Sequence, residues 1–310
     1  MTRTSPILLA VVLLALPLAG GTPDLFAPAT VAPQLPLAVP ASGGSLRDRQ
    51  DPELQMQLEA RVDADGTWRS LSRAGHMSVG LVDFRDATAP RYAAVNGDTM
   101  MYAASLPKIA ILLAAFQAFE DGRLRESAEV VGDLSAMIRR SDNEAATRMV
   151  DRIGLAAIAR TLTAPAVRLY DAATGGGLWV GRAYAQDHPV LADPLRGPVH
   201  AATAYQVCRF YYLLANGQLV SPARSAEMLD LLAGTAMTHK FVARLKDTAS
   251  LEHVYRKSGT WRDWHSDSVL VWEGGRRYIL TGLVEDAHGE QILRDLLPAA
   301  EQVLAGRSSR

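Results

Sequence analysis

Hydrophobic and polar positions near the start of the chain predict one helix followed by a hairpin. Apolar side chains recur at helical spacing through residues 51–66, "DPELQMQLEARVDADG", which predicts an amphipathic helix. The runs 76–84 and 90–98 are strand-like and close together, so we expect them to pair. Before them, residues 22–50 are rich in Pro, Ala and Gly without a clear period, which predicts a linker.

The middle of the chain, from about residue 103 to 245, is mostly helical in pattern. Breaks fall at Gly122, at "RRSDN" and across "DAATGGGLWVG". The stretch "TAYQVCRFYYLLANGQLV" predicts a clear helix that Asn-Gly closes. This part is therefore expected to form one helical block.

The last part of the chain returns to strands. Residues 253–261, 266–273 and 276–286 are strand-like, and residues 289–306 predict a final helix. Strands from both ends of the chain must then join one sheet. The predicted fold class is α/β, an α+β sandwich in which helices flank an antiparallel sheet of N- and C-terminal strands, with an inserted all-helical lobe.

Composition is compatible with one large domain or two interleaved ones, and it limits the expected partners. Of the 310 residues, 48% are hydrophobic and 21% are charged, which is enough to bury a sizeable core. Acidic and basic residues nearly cancel, 33 against 32, so neither a nucleic acid nor an anionic membrane surface is indicated. We expect a monomer that acts on a small molecule.

The first residues have the pattern of an export signal. Arg3 precedes an apolar run from Ile7 to Ala19, which is short for a membrane span, and small residues follow it. The predicted domains are a signal peptide at 1–21, the linker at 22–50 and one folded domain at 51–306. We expect an exported protein, periplasmic or secreted and without stable membrane insertion after cleavage; an uncleaved anchor is the alternative.

Metal and cofactor chemistry is not indicated by the sequence. The seven histidines are scattered, without a close pair or an H-E-x-x-H motif, so no metal is expected. "GGGLW" has neither the P-loop nor the dinucleotide-binding spacing, so no cofactor is expected either. Cys208 is the single cysteine and lies in an apolar helical pattern, which predicts a buried, inert thiol.

Lysine is scarce, and one lysine lies at the start of an apolar helix. The chain has only Lys108, Lys240, Lys246 and Lys257, and the other 28 of its 32 basic residues are arginines. Lys108 follows Ser105 by three positions, so its amine can reach the serine hydroxyl on the same helix face. A buried lysine, unlike arginine, can lose its proton and act as a base. The alternative is a plain N-cap serine, because S-x-x-K alone is common.

Two further short motifs carry polar groups that could serve the same site. In "IRRSDNEAA", Ser141 could relay a proton and Asn143 could hold a substrate carbonyl; the alternative is a capping box of Ser141 with Glu144. In "YRKSGTW", Lys257 could supply a fixed positive charge and Gly259 could let a substrate approach the strand. A solubilising lysine at a sheet edge is the alternative there.

Taken in order, the motifs resemble those of a known family. S-x-x-K at 105–108, S-D-N at 141–143 and K-S-G at 257–259 resemble the set found in class A β-lactamases and penicillin-binding proteins, with Ser in place of the usual Thr. The order of strands and helices resembles that family's sandwich from about residue 51 onward. "YYLLANGQLVSPARSAEML" is similar to its late helical hairpin.

The resemblance implies catalytic roles for three residues. Ser105 would be the acylated nucleophile and Lys108 the candidate base of acylation. Ser141 would shuttle a proton. Asn143, the last residue of the S-D-N motif, would bind the acyl side chain of the substrate.

The resemblance also implies a substrate-binding strand. Lys257 and Ser258 would hold the substrate carboxylate, beside Gly259. The backbone N–H groups of Ser105 and Thr260 would form the oxyanion hole, worth about 3–4 kcal/mol per donor.

One part of the family pattern is missing. Class A enzymes resemble one another in an E-x-x-L-N loop whose glutamate activates the deacylating water, and we expect this loop between about Arg168 and Asp193. No glutamate occurs there, and Asp171 is the only carboxylate before the glycine run. An ion pair between Arg168 and Asp193 is expected to close the loop.

These observations give one leading hypothesis and two alternatives. The leading one is an exported active-site serine hydrolase, class A β-lactamase-like, that opens β-lactam amides through an acyl-enzyme at Ser105. The alternatives are a D-Ala-D-Ala peptidase of the penicillin-binding type, acting on peptidoglycan peptides, and a sensor that stays acylated. The sequence does not decide between fast and slow deacylation.

Overall fold

The structure, a computed structural model, describes Met1 and residues 35–37, 45–185 and 189–306. Apart from Met1, the predicted signal peptide lies outside the described residues, as does most of the predicted linker, so these boundaries stay predictions. Within the described ranges, no helix is both long enough and apolar enough to cross a membrane.

Helices and strands are named in chain order. The helices of the described residues are α1 (Pro52–Ala64), α2 (Gly66–Arg73), α3 (Lys108–Glu120), α4 (Ala128–Arg139), α5 (Asn143–Ile153), α6 (Leu155–Thr163), α7 (Ala204–Ala215), α8 (Pro222–Leu232), α9 (Phe241–Leu245) and α10 (Gly289–Ala305). The strands are β1 (Met77–Asp83), β2 (Arg91–Val95), β3 (Met101–Tyr102), β4 (Tyr170–Asp171), β5 (Gly176–Gly177), β6 (Trp179–Val180), β7 (His200–Ala202), β8 (Val254–Trp261), β9 (Trp264–Glu273) and β10 (Arg276–Glu285).

The central sheet joins the two ends of the chain. Its strand order is β2-β1-β10-β9-β8, and all neighbours are antiparallel. β1 and β2 form the predicted hairpin, and β1 pairs along its whole length with β10 from the other end. The predicted fold class is confirmed, and β2 and β8 are the two edge strands.

Both faces of the sheet are covered by helices. On one face, α1, α9 and α10 pack around a core of aliphatic residues from the strands, such as Val79, Val269 and Leu280. On the other face, α7 lies so close to β1 that a Cβ at Gly80 would stand 2.7 Å from Cys208 Sγ. Cys208 is fully buried, as predicted, and burial raises the pKa of its thiol to about 12.

The helical lobe is built around α3. Its sequence, "KIAILLAAFQAFE", has neither Gly nor Pro, and nearly all of its side chains are buried among the neighbouring helices α4, α5, α6 and α8. The helix ends before Gly122, whose positive φ of 66° stops it at the predicted break. It begins at Lys108 rather than at Ser105, because Pro107 takes the N-cap position and the preceding residues form tight turns.

The segment between residues 168 and 202 contains short strands that the sequence pattern did not predict. β4 pairs with β5, and a second small sheet has the order β3-β7-β6. Glycine permits this path, because Gly177 has a φ of 154° and a Cβ there would stand 2.2 Å from the Leu169 carbonyl oxygen. β3 brings this small sheet directly beside Ser105.

One buried ion pair ties the edge of the large sheet to α9. Arg256 Nε and Nη2 each lie 2.9 Å from an oxygen of Asp267, and both side chains are almost completely buried. The Phe241 N–H also donates to Asp267, at 3.1 Å. These bonds hold β8, β9 and the start of α9 together behind the site described below.

We expect Asp267→Ala to lower the free energy of unfolding by about 3–5 kcal/mol, because it leaves the Arg256 charge buried without a partner. Urea unfolding measures the effect. Asp295→Ala is the matched control, since its pair with Arg244 is exposed on both sides and is expected to contribute about 1 kcal/mol or less. Equal losses in the two variants would contradict the prediction.

Candidate active site

The three sequence motifs lie together where the edge strand β8 meets the start of α3 and the turn before α5. A Cβ at Gly259 would stand 2.6 Å from the Ser105 backbone nitrogen. Lys108 Nζ lies 2.6 Å from the Ser141 carbonyl oxygen, and Lys257 Nζ lies 2.9 Å from Ser141 Oγ. Residues separated by up to 154 positions, Ser105 and Gly259, thus lie in one polar cluster.

Lys108 is the centre of this cluster. Its side chain is fully buried, and Nζ donates to the Ser141 carbonyl, to Asn143 Oδ1 at 2.7 Å and, more weakly, to the Asp142 carbonyl at 3.3 Å. Burial lowers the pKa of Lys108 to about 7, against the opposing charge of Asp142. The charged form of Lys108 has three N–H protons, one for each of these acceptors. The neutral form has a lone pair on Nζ, which can accept a proton.

The turn before α5 has a different cap from the predicted one. Asp142 is the N-cap, with its side chain 2.8 Å from the Ala145 nitrogen, so the capping box of Ser141 with Glu144 was wrong. Ser141 has a φ of 59°, a conformation that costs a non-glycine residue on the order of 1 kcal/mol or more. That conformation accompanies the contacts of its carbonyl with Lys108 and of its hydroxyl with Lys257.

Asn143 faces the cluster from the first turn of α5. Because its Oδ1 accepts a hydrogen bond from Lys108, the orientation of the amide is fixed and its Nδ2 group is left as a donor. Sequence analysis predicted that this amide binds the substrate, and the geometry is compatible with that prediction.

Lys257 is almost completely buried on β8. It donates to Ser141 Oγ and to the Ser258 carbonyl at 2.8 Å. Burial, and then the positive charge of Lys108, lower the pKa of Lys257 well below its ordinary value. A nearby anion would favour the charged form again.

The close approach of β8 to Ser105 requires glycine at position 259. A Cβ there would stand 2.3 Å from the Ala103 carbonyl oxygen as well as against the Ser105 nitrogen. We expect Gly259→Ala to push β8 away from Ser105, the predicted nucleophile, and to slow the predicted acylation on the order of 10²-fold, the cost of losing an oxyanion donor. Stopped-flow acylation with a chromogenic β-lactam measures it, and Gly132→Ala, which meets nothing within 4 Å in α4, is the control.

Lys240 belongs to the site but was not predicted. It is fully buried with a φ of 55°, and its Nζ donates to the Gly259 carbonyl at 2.5 Å, to Thr260 Oγ1 at 2.8 Å and to the Ser266 carbonyl at 3.1 Å. Burial lowers the pKa of Lys240 to about 8. The scarcity of lysine was the signal that could have identified it, since only Lys246 among the four lies on the exposed surface.

The site therefore contains more buried basic side chains than buried acidic ones. Lys108, Lys240, Arg256 and Lys257 are all at most 2% exposed, and Asp267 is the fully buried carboxylate among them. Buried charges without partners are costly, so a site of this kind favours an anionic ligand.

Tyr184 and His200 form a second feature that sequence reasoning missed. The two rings stack in parallel with centroids 4.1 Å apart, and Lys108 Nζ lies 4.6 Å from the Tyr184 ring centroid. The Tyr184 hydroxyl donates to the Ala104 carbonyl at 3.3 Å, next to Ser105. No periodicity or motif identifies these residues, because the long segment between α6 and α7 brings them here.

The predicted loop is built differently from the expectation. Asp193 accepts from the Tyr170 hydroxyl at 2.5 Å and from the Leu195 nitrogen, while Arg168 is exposed, so the predicted ion pair between Arg168 and Asp193 was wrong. Asp171 caps a short 3₁₀ turn through the Ala173 nitrogen. Among the described residues, no carboxylate oxygen is hydrogen-bonded to Lys108.

Two tryptophans lie at the ends of β8 and β9, next to the K-S-G motif. Trp264 packs edge-on against Tyr102, with centroids 5.9 Å apart, whereas Trp261 is mostly exposed at the tip of the β8–β9 hairpin.

Across the described part of the chain, no group of three His, Cys, Asp or Glu residues is placed to hold a metal ion.

The fold and the grouped motifs define a serine β-lactamase-like protein. The chain belongs to the β-lactamase enzyme family, which it matches over residues 69–133 and 132–303. Curated proteins gave no match.

Solved structures share the fold at low identity. A β-lactamase from Sphaerobacter thermophilus is 20% identical with a TM-score of 0.62, over 82% of this chain and 98% of the other. PBP-A is 19% identical with a TM-score of 0.60, over 83% and 98%. An ancestral class A β-lactamase is 19% identical with a TM-score of 0.58, over 82% and 99%. A variant of PBP-A has been solved as an acyl-enzyme complex with penicillin G.

Proposed function

We propose that the protein is an active-site serine hydrolase that opens β-lactam amides through an acyl-enzyme at Ser105. The observation that carries the proposal is the cluster in which Lys108, desolvated and bonded to the turn 141–143, lies one helical turn from Ser105. A base with a pKa near the working pH is what the activation of a serine hydroxyl needs.

Acylation follows from the groups in this cluster. Neutral Lys108 takes the proton of the Ser105 hydroxyl as Oγ attacks the β-lactam carbonyl. The N–H groups of Ser105 and Thr260 stabilise the oxyanion. Ser141 gives its hydroxyl proton to the leaving nitrogen as the C–N bond breaks and recovers a proton from the Lys108 ammonium, which returns to the neutral amine. The product is an ester at Ser105 and a free amine within the opened substrate.

The substrate carboxylate is bound by the positive side of the cleft. Lys257 and Ser258 take the direct contacts, and the charges of Lys240 and Arg256 lie behind the same strand. Binding an anion here also raises the charged fraction of Lys257. The Nδ2 group of Asn143 donates to the carbonyl of the acyl side chain.

A second candidate function is favoured by the surroundings of Lys108. Tyr184 occupies the space next to this amine, and none of the described carboxylates contacts it. Without a placed base for water, an acyl-enzyme would persist, which is typical of a penicillin-binding peptidase or an acyl-trapping sensor.

Intact-protein mass spectrometry over time distinguishes these functions. The mature chain is mixed with a penicillin, a cephalosporin and a peptide that ends in D-Ala-D-Ala. An adduct that appears and disappears indicates β-lactamase turnover, and a persistent adduct with peptide cleavage indicates a peptidase. No adduct with any of the three would contradict acylation at Ser105.

We also propose that the protein is exported. It rests on Arg3 and the apolar run Ile7–Ala19 in the sequence, and it places the protein in the periplasm or outside the cell, where β-lactams and peptidoglycan peptides occur. N-terminal sequencing of the protein recovered from the periplasm or the medium tests both the export and the cleavage near residue 21.

A further inference from the structure

The side of Lys108 that its hydrogen-bond acceptors leave open is covered by an aromatic ring. The acceptors all belong to residues 141–143. The Tyr184 ring has its centroid 4.6 Å from Nζ, within the range of a cation–π contact. A water molecule does not fit between the ring and the amine.

The ring is held in place from several directions. The backbone nitrogens of Tyr184 and Ala185 both donate to Thr147 Oγ1, at 3.2 and 2.8 Å, and Thr147 is buried in α5. His200 stacks on the ring, and the phenol donates to the Ala104 carbonyl. Since burial raises the pKa of Tyr184 well above its ordinary value, the phenol keeps its proton and is no base itself.

We propose that Tyr184 is a positioning residue whose ring shields Lys108 from water and so prolongs the life of the acyl-enzyme. The effect on the life of the acyl-enzyme rests on the proposed function, whereas the shielding of Lys108 does not. The ring leaves the amine free to take the proton of Ser105, which lies one turn back along the chain, its carbonyl oxygen 3.3 Å from the Lys108 backbone nitrogen. It denies the same amine to a water molecule once the ester has formed.

The step that the ring slows is ordinary ester hydrolysis. Water attacks the acyl carbon and gives its proton to the neutral Lys108 amine. The bond between the acyl carbon and Ser105 Oγ then breaks, and the proton returns to Oγ. The products are the free serine and a carboxylic acid, and no other reactant is needed.

The first test observes Lys108 without any substrate. Because the chain has only four lysines, ¹³C-lysine labelling gives few signals, and Lys108→Arg identifies the one that belongs to Lys108. The charged or titratable groups that face this amine are Asp142, Lys257, His200 and Tyr184 itself. Tyr184→Ala should raise the titration midpoint of Lys108 by about one pH unit or more, because water reaches the amine.

The second test measures the adduct. Penicillin-labelled wild type and Tyr184→Ala are followed by intact mass spectrometry at pH 9, where the amine is more often neutral. We expect the Tyr184→Ala adduct to disappear on the order of tenfold faster or more, as a general base becomes available to water. Tyr184→Phe is the conservative variant, and it should restore the wild-type midpoint and the long-lived adduct.

If Tyr184→Ala does not fold, Thr147→Val replaces it in both tests. It removes the hydroxyl that accepts from the backbone nitrogens of Tyr184 and Ala185. We expect it to raise the titration midpoint of Lys108 and to shorten the life of the adduct, each by less than Tyr184→Ala does. An unchanged titration midpoint of Lys108 in these variants overturns the shielding. An unchanged lifetime of the penicillin adduct, or rapid turnover by the wild type, overturns the effect on the acyl-enzyme. Absence of any wild-type adduct counts against the proposed function instead, and the lysine titration then decides the shielding alone.

Discussion

Replacing Ser105 by alanine is expected to abolish covalent labelling by a penicillin, with no adduct detectable at times that label the wild type completely. The change removes the proposed nucleophile and only one oxygen atom, from a half-buried side chain in the turn before α3. Because no core contact depends on that hydroxyl, circular dichroism and the urea midpoint should stay close to wild type. Intact mass spectrometry makes the measurement.

Ser250→Ala is the matched control for this change. Ser250 is exposed and its side chain caps no helix, so the variant should be labelled like the wild type. Labelling that survives in Ser105→Ala would show that another residue is acylated, and peptide mapping of the adduct would identify it.

Replacing Lys108 by arginine is expected to slow acylation by about 10²–10⁴-fold, the usual contribution of a general base. Arginine keeps a positive charge but does not give up its proton in a protein, so it cannot accept one from Ser105. Stopped-flow measurement of the acylation rate, with a chromogenic β-lactam, checks the size of the loss.

The pH dependence of wild-type acylation tests the same role with a defined sign. Since burial lowers the pKa of Lys108 to about 7, the amine is mostly protonated below pH 7 and mostly neutral above it. The acylation rate should therefore rise with pH, with a midpoint near 7, and Lys108→Arg should lack this rise. Lys246→Arg, at an exposed lysine, should behave like the wild type. A wild-type rate in Lys108→Arg would exclude Lys108 as the base.

The fold could be predicted to a large extent because local patterns carry it. Strand-like runs located β1, β2, β8, β9 and β10, and helical patterns located α1, α7 and α10. The short strands β3–β7 could not be predicted, since each has only two or three residues and depends on its partner rather than on its own sequence.

The candidate site was predictable where short motifs mark it. Ser105, Lys108, Ser141, Asn143 and Lys257 were identified from three tripeptide or tetrapeptide patterns, and the structure brings them together. Their catalytic roles stay predictions. The cap of α5 was misjudged because Ser-Asp-Asn offers several capping side chains, and only the backbone path decides which one is used.

By itself, the sequence determined the order of elements, the fold class and the identity of the groups that could do chemistry, because these depend on residue type and local spacing. Only the tertiary structure decided what surrounds those groups. The sheet edge brings Lys240 under Thr260, and the path from α6 to α7 brings the Tyr184 ring against Lys108. Desolvation and contact between distant residues set the pKa of a buried amine, and neither is encoded in the neighbours along the chain.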